Sequence, residues 1–217
     1  MQLKDEAAAH IRELIVSGQV APGELVRLAP LAEQFGASVT PVREALLLLA
    51  QDGWVTQEPN RGFRVERFTR RDVADAYWVH AQVAGELAAR AAAAIDEATL
   101  AKLWELDARI KAGGEHDEGL LEESNYSLHH LIYAVADSPR LAWFVSASSR
   151  FVPRRFWGMI PGWVAHNRDG HAPILEALEA RDSARAAATM AAHVEAAGGL
   201  LLAYLDSSSF WPRDELR

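Results

Sequence analysis

Apolar positions recur at two different periods along the chain, and the change of period organises its first third. Ala8, Ile11, Leu14 and Ile15 fall at helical spacing, and the pattern stops at Gly18. After a turn at Pro22-Gly23, a short second helix fits Pro30 to Phe35, with proline tolerated at its first position and Gly36 ending it. A third helix is expected to start with Thr40 as N-cap and Pro41 at the first helical position, running through Val42, Ala45, Leu46 and Leu49 to Gly53. The period then drops to two. Trp54-Val55-Thr56-Gln57, a turn at Pro59-Asn60-Arg61-Gly62, and the alternation Phe63-Arg64-Val65-Glu66 predict a β-hairpin, apolar on one face. Three helices followed by a hairpin describe a winged helix-turn-helix.

From residue 69 onward the pattern is helical throughout. Val73, Ala76, Tyr77, His80, Val83, Ala84, Leu87 and Ala91 form one stripe of a long helix, and Leu100, Leu103, Trp104 and Ile110 mark the next. Gly113-Gly114 breaks it. Further helices fit roughly 120–136, 139–157, 171–181 and 183–205, separated by turn signals such as Ser138-Pro139 and Pro161-Gly162. No stretch repeats at a fixed period, which argues against a solenoid. The expected fold is mainly α: a winged helix-turn-helix DNA-binding domain over 1–68, then an all-α ligand-binding and dimerisation domain of six to seven helices over 69–217.

Composition narrows the chemistry. Half the residues are hydrophobic and 24% are charged, which is globular composition. There is no cysteine, so disulfides, thiolate catalysis and Cys-based zinc sites are excluded. No apolar run approaches the ~18 residues a membrane span needs, and Met1 to His10 contains no signal-peptide core, so no membrane partner and a cytoplasmic location are expected. The net charge of -8 at first argues against a nucleic-acid partner. Residues 1–68, however, hold seven Lys/Arg and nine Asp/Glu, a net of only -2; the remaining -6 belongs to the helical part.

A helix presented end-on by a tight turn fits the major groove, where side chains at its N-terminus reach base edges and its free amides meet phosphate. Those positions are Ser38, Val39, Thr40 and Arg43. The hairpin tip adds Asn60, Arg61, Gly62 and Arg64, a small basic spot suited to phosphate or minor-groove contact.

Eight histidines are present. His10, His116 and His166 read as ordinary surface residues. Asn125 and His129 are four apart and share a helix face, His171 opens the next-to-last helix, and His193 sits midway along the last. Three imidazoles from three helices can converge in a bundle interior and hold a divalent metal, a convergence that spacing alone leaves open. Tyr126 reads as core, and Trp104, Trp143, Trp157 and Trp163 as large anchors in the core or at an interface of the bundle. Arg150, Arg154 and Arg155 form a basic group that is either a solvated patch or an anion clamp.

The residues Leu31-Ala-Glu-Gln-Phe-Gly-Ala-Ser-Val-Thr-Pro-Val-Arg-Glu-Ala-Leu46, with Pro22-Gly-Glu-Leu25 before them and Gly53-Trp-Val55 and Asn60-Arg-Gly-Phe-Arg-Val65 after, resemble the winged-helix signature of GntR-family transcriptional regulators. The family usually has Arg where this chain has Val39, and that Arg contacts DNA. Leu28 and Ala29 replace its charged residues before the second helix. Valine can touch a thymine methyl but makes no bidentate contact with guanine, so an altered site preference or weaker binding is expected.

Asn125-Tyr-Ser-Leu-His-His-Leu131, Gly170-His-Ala-Pro-Ile174 and Met190-Ala-Ala-His193 are similar to the FCD effector domain of FadR-like members. That resemblance implies Zn or Ni bound by an Asp and three histidines, here Asn125, His129, His171 and His193, with an amide in place of the carboxylate. It also implies a small organic-acid effector, held by an Arg whose position here is taken by His80, with Arg150 and Arg154 as alternative sources of positive charge. The implied protein is a homodimeric, ligand-responsive repressor on a palindromic operator, not an enzyme. Its competitors are a metal-dependent enzyme in the helical domain and a regulator that has lost specific DNA binding.

Overall fold

The computed structural model describes residues 3–59, 61–113, 118–149, 157–158, 160–208 and 210–211. They form two compact units. The first takes the chain up to Val73 together with the stretch from Ala203 onward, and the second takes Ala74–Ser149 and continues to Leu202.

In the first unit the order is α1 (Leu3–Val16), β1 (Leu25–Val26), α2 (Leu28–Gln34), α3 (Val39–Gln51), β2 (Val55–Glu58) and β3 (Gly62–Val65). α1 lies against α3, joining Ile11 and Ile15 to Val42, Leu46 and Leu49 in a core closed to solvent. Each such side chain contributes roughly 1.5–3 kcal/mol by leaving water. β2 and β3 form the expected hairpin, with Val55 opposite Val65 and Glu58 opposite Gly62. The two-residue β1 adds a third, antiparallel strand on the other side of β3, in the order β1-β3-β2. Gly62 is needed there: its φ is 111°, and a Cβ would stand 3.1 Å from the Val26 carbonyl oxygen. Aromatic contacts fasten the end of the chain to this unit, since Phe68 meets Trp54 edge-on at 5.0 Å and stacks on Phe210 at 6.4 Å.

Two helix starts differ from expectation in the same way. α2 begins at Leu28 rather than Pro30. α3 begins at Val39 with Ser38, not Thr40, as its N-cap. Each proline therefore sits third in its helix rather than first. The first four amides of a helix have no partner within it, so a missing N–H costs nothing at the third position either.

The second unit contains seven helices among the described residues, beginning with α4, which starts in the first unit: α4 (Arg70–Ala94), α5 (Glu97–Gly113), α6 (Glu118–Val135), α7 (Pro139–Ser149), α8 (Trp163–Gly170), α9 (Ala172–Glu179) and α10 (Ser183–Ser207). α5 is central, packing against α6, α8 and α9. Leu103 and Ile110 of α5 are fully buried, with Leu121, Leu128 and Ile132 of α6 and Ile174, Leu175 and Leu178 of α9. The helix expected over 139–157 is described only to Ser149. α8 occupies a stretch between the helices expected over 139–157 and 171–181, to which the sequence pattern assigns no helix. α10 is long and apolar enough, by length and composition, to cross a membrane. Its Met190, Val194 and Leu201 are buried inside the protein, as in a core helix of a bundle.

Two aromatic expectations are corrected. Tyr126 is 46% exposed and is not core; Trp143 is 57% exposed, which removes it from the core of this chain and leaves the interface reading. Trp163 is buried and stacks on Trp157 at 4.2 Å.

Candidate functional site

The recognition-helix end of the first unit is open to solvent. Ser38, Val39, Thr40 and Arg43 are all exposed at the start of α3, and Arg61 is exposed beside the hairpin turn. No partner for Arg43 occurs among the described residues. Asn60 lies outside them. Arg64 is placed differently from expectation: it pairs with Glu58 across the hairpin and donates to the Gly23 carbonyl at 2.6 Å. This ion pair holds the Glu58 carboxyl below its usual range. The Arg64 charge is thus matched within the wing, whereas Arg43 and Arg61 are exposed, Arg61 also acting on the Glu58 carboxylate.

Histidines converge in the second unit. His129 from α6, His171 at the junction of α8 and α9, and His193 from α10 present ligand atoms that all lie within 4.8 Å of one another. His171 Nε2 is 3.3 Å from His129 Nε2, and the His171 and His193 ring centroids are 4.6 Å apart. On its other side, His129 Nδ1 meets the Tyr133 hydroxyl at 3.2 Å. His171 Nδ1 faces Asp107 Oδ1 at 4.0 Å, and the other Asp107 oxygen accepts from Lys111 Nζ at 2.7 Å.

α8 closes the cluster. His166 stacks on His193 with centroids 4.4 Å apart and planes 14° from parallel. A Cβ on Gly170 would stand 2.7 Å from His193 Nδ1, so α8 reaches this ring only because residue 170 has no side chain. His166 is therefore not the free surface residue expected from sequence. A surface depression of about 340 Å³ opens at the start of α8, lined by Ile160, Pro161, Val164 and Arg168; none of the clustered histidines lines it.

Burial keeps these imidazoles neutral. It is the main cause that pushes His80 and His171 down to about 4 and holds His129 and His193 well below the ordinary value. Mutual repulsion adds to it: His171, His80 and His166 all act on His129. A hydrogen bond to the Asn167 backbone works the other way on His171. A neutral imidazole carries the lone pair that a metal requires.

The residues fit a transition-metal dication. Three imidazoles from three helices are a sufficient donor set for zinc or nickel. Two buried polar atoms also lack a hydrogen-bond partner among the described residues: His193 Nδ1 and, one turn before His129 on α6, Asn125 Oδ1. Buried polar atoms rarely stay unsatisfied unless something else meets them.

His129, His171 and His193 are thus brought together, and His80 lies near enough to influence His129, while Arg150, Arg154 and His116 fall outside the described residues. Sequence reasoning missed His166 and Asp107. Both had a signal. Asp107 interrupts the apolar stripe between Leu103 and Ile110 at four-and-three spacing, and Trp163, His166, Asn167 and Gly170 fall on one helical face.

Residues 3–65 match the pattern described as bacterial regulatory proteins, gntR family, and residues 75–196 match the FCD domain. An uncharacterized HTH-type transcriptional regulator of Mycobacterium tuberculosis (strain ATCC 25618 / H37Rv) is 30% identical over 155 residues, 71% of this chain and 62% of that protein. The match thus spans less than two thirds of that relative's length. The HTH-type transcriptional repressor GlaR of Escherichia coli (strain K12) is 26% identical over 196 residues, 83% of this chain and 87% of its own. Among solved structures, E. coli McbR/YncC superposes with a TM-score of 0.69 at 22% identity, covering 94% of this chain and 99% of that one. That likeness is one of fold. With a helix-turn-helix head and a helical unit each matched over most of its length, the chain belongs to the GntR family of bacterial transcriptional regulators, in the branch that carries an FCD domain.

Proposed function

We propose that this regulator is a cytoplasmic, ligand-responsive repressor that binds a palindromic operator as a homodimer. Ser38, Thr40 and Arg43 at the start of α3 read the major groove, while the wing residues Asn60, Arg61 and Gly62 approach the backbone or minor groove. A two-fold dimer then expects half-sites about one helical turn apart. The observation that carries the sensing role is the triad His129, His171 and His193, with three ligand atoms inside 4.8 Å. These three, with the Asn125 carbonyl, would hold zinc or nickel. When bound, such an ion supplies a positive charge that attracts a carboxylate.

A small organic acid is the effector class this chemistry favours. His80 is held neutral at pH 7 by burial, so it can give the acid a hydrogen bond but no charge. The compensating charge then comes from the ion, with Arg150 and Arg154 as further candidates. Coupling operates as a population shift: the effector binds one arrangement of the two reading heads better than the other.

The test uses full-length protein purified without an affinity tag. Elemental analysis is expected to find zinc or nickel at about one per chain. Operator binding to the promoter beside its own gene, titrated with a panel of small carboxylates, is expected to change by roughly 5–150-fold for one class of acid. No metal, with operator affinity flat across the panel, would overturn the reading.

A further inference from the structure

All candidate donors in the histidine cluster are neutral. Three imidazoles and an amide bring no negative charge, and a dication among them in a buried setting is left electrostatically uncompensated. The carboxylate that touches the cluster stands behind it. Asp107 is 1% exposed, on the α5 face that packs toward α8 and α9, and its Oδ1 has no hydrogen-bond partner among the described residues. Across 4.0 Å it faces His171 Nδ1, which is buried and unpartnered by the same measure. At the opposite end of that ring, Nε2 lies 3.3 Å from His129 Nε2. The ring therefore points one nitrogen into the cluster and the other at the carboxylate.

We infer that Asp107 is the positioning residue of the metal centre: it accepts the Nδ1 proton of His171 and holds the tautomer that turns the Nε2 lone pair toward His129 and His193. The inference rests on the metal reading above. Metal-bound histidines commonly give their second N–H to a carboxylate or carbonyl, which fixes ring orientation and makes the ligand more basic. The Asn167 backbone also neighbours His171, so a carbonyl is available as the competing acceptor. Lys111 holds the second Asp107 oxygen at 2.7 Å and keeps the carboxylate in this orientation.

The near-isosteric variant Asp107→Asn separates the possibilities, with zinc and nickel themselves as probes. Zinc affinity of the tag-free full chain, measured by competition with a chromophoric chelator, is expected to fall about 10–100-fold in Asp107→Asn. Melting of the metal-free protein is expected to stay close to wild type. Nitrogen-15 NMR of the zinc-loaded wild type is expected to show His171 protonated at Nδ1 and ligating through Nε2; if Asp107→Asn fails to fold, a strongly downfield Nδ1 proton, as a charged carboxylate acceptor gives, still separates Asp107 from the Asn167 carbonyl. An affinity within about threefold of wild type, against the 10–100-fold expected, overturns the inference, as does a His171 proton on Nε2. A wild type that binds neither metal overturns the metal reading along with it, whereas a wild type that binds and a variant that binds equally well overturns this assignment alone.

Discussion

The two units place their polar chemistry in opposite settings. Every buried polar or charged residue among those described, Asp107, Ser124, Asn167, His171 and His193, lies in the second unit. The first unit has an apolar core of Ile11, Ile15, Val42, Leu46, Leu49 and Phe63, and it carries Ser38, Thr40, Arg43 and Arg61 outside it. A reading head that meets a hydrated polyanion can keep its working groups in water, because DNA arrives with its own charge. A site for a small ion or acid has to exclude water, so its polar groups are buried and unsatisfied until a ligand meets them. It follows that substitutions at the first site should change binding with little cost in stability, whereas the second site couples function to stability.

Acid gives the largest expected effect and the sharpest test of this difference. Burial holds His171 and His80 neutral down to about 4, while in the unfolded chain each takes up a proton near 6.5. Between those values the unfolded state binds more protons, so stability rises with pH in that window. The contribution is intact above 6.5 and is lost as pH falls toward 4, by up to about 1.4 kcal/mol per pH unit for a fully buried group such as His171. The first unit has one histidine, His10, which is partly exposed and meets Phe35 edge-on. For the metal-free protein, amide exchange corrected for intrinsic rates is expected to show protection falling in α6, α9 and α10 between pH 7 and pH 5, with α1 and α3 little changed. An equal loss in both units would break the comparison.

Arg43→Ala tests the other side. Loss of one base or phosphate contact is expected to weaken operator binding by about 1–3 kcal/mol, roughly 5–150-fold, with the melting temperature unchanged. A fall in melting without a fall in affinity would place Arg43 in the fold rather than at the DNA.

Periodicity was legible wherever one period persisted for several turns. It located α1, the hairpin and the long helices of the second unit, because burial of one face imposes that period. It failed where local chemistry allows more than one answer. Pro30 and Pro41 were read as first helical residues, yet proline is equally at ease two positions later, and both helices start two residues sooner. The Leu25–Val26 strand is too short to show an alternation. α8 is eight residues long and carries few apolar positions, too little to show a period; in the folded chain it is held by Trp163 stacking on Trp157 and by contact with His193. His129, His171 and His193 were singled out through their sequence context; their convergence, and the nearness of His166 and Asp107, depend on how separate helices pack.

Val39 offers the finest test, because it is a departure from the family signature placed at the working end of α3. Its side chain is 44% exposed, next to Ser38 and Thr40, and it adds nothing to the core. Replacing it should therefore leave stability nearly unchanged, within about 0.5 kcal/mol. Val39→Arg adds a cation at the end of the helix expected to enter the groove. If that end faces DNA, general affinity should rise up to about tenfold at low salt, and the slope of log affinity against log salt should steepen by about one. Preference among operator variants should also move toward guanine at the contacted position, since Arg makes a bidentate contact there that Val cannot. A variant whose salt slope and base preference both match wild type would mean that the start of α3 does not face DNA, and the contrast between an exposed reading site and a buried sensing site would then lose its first half.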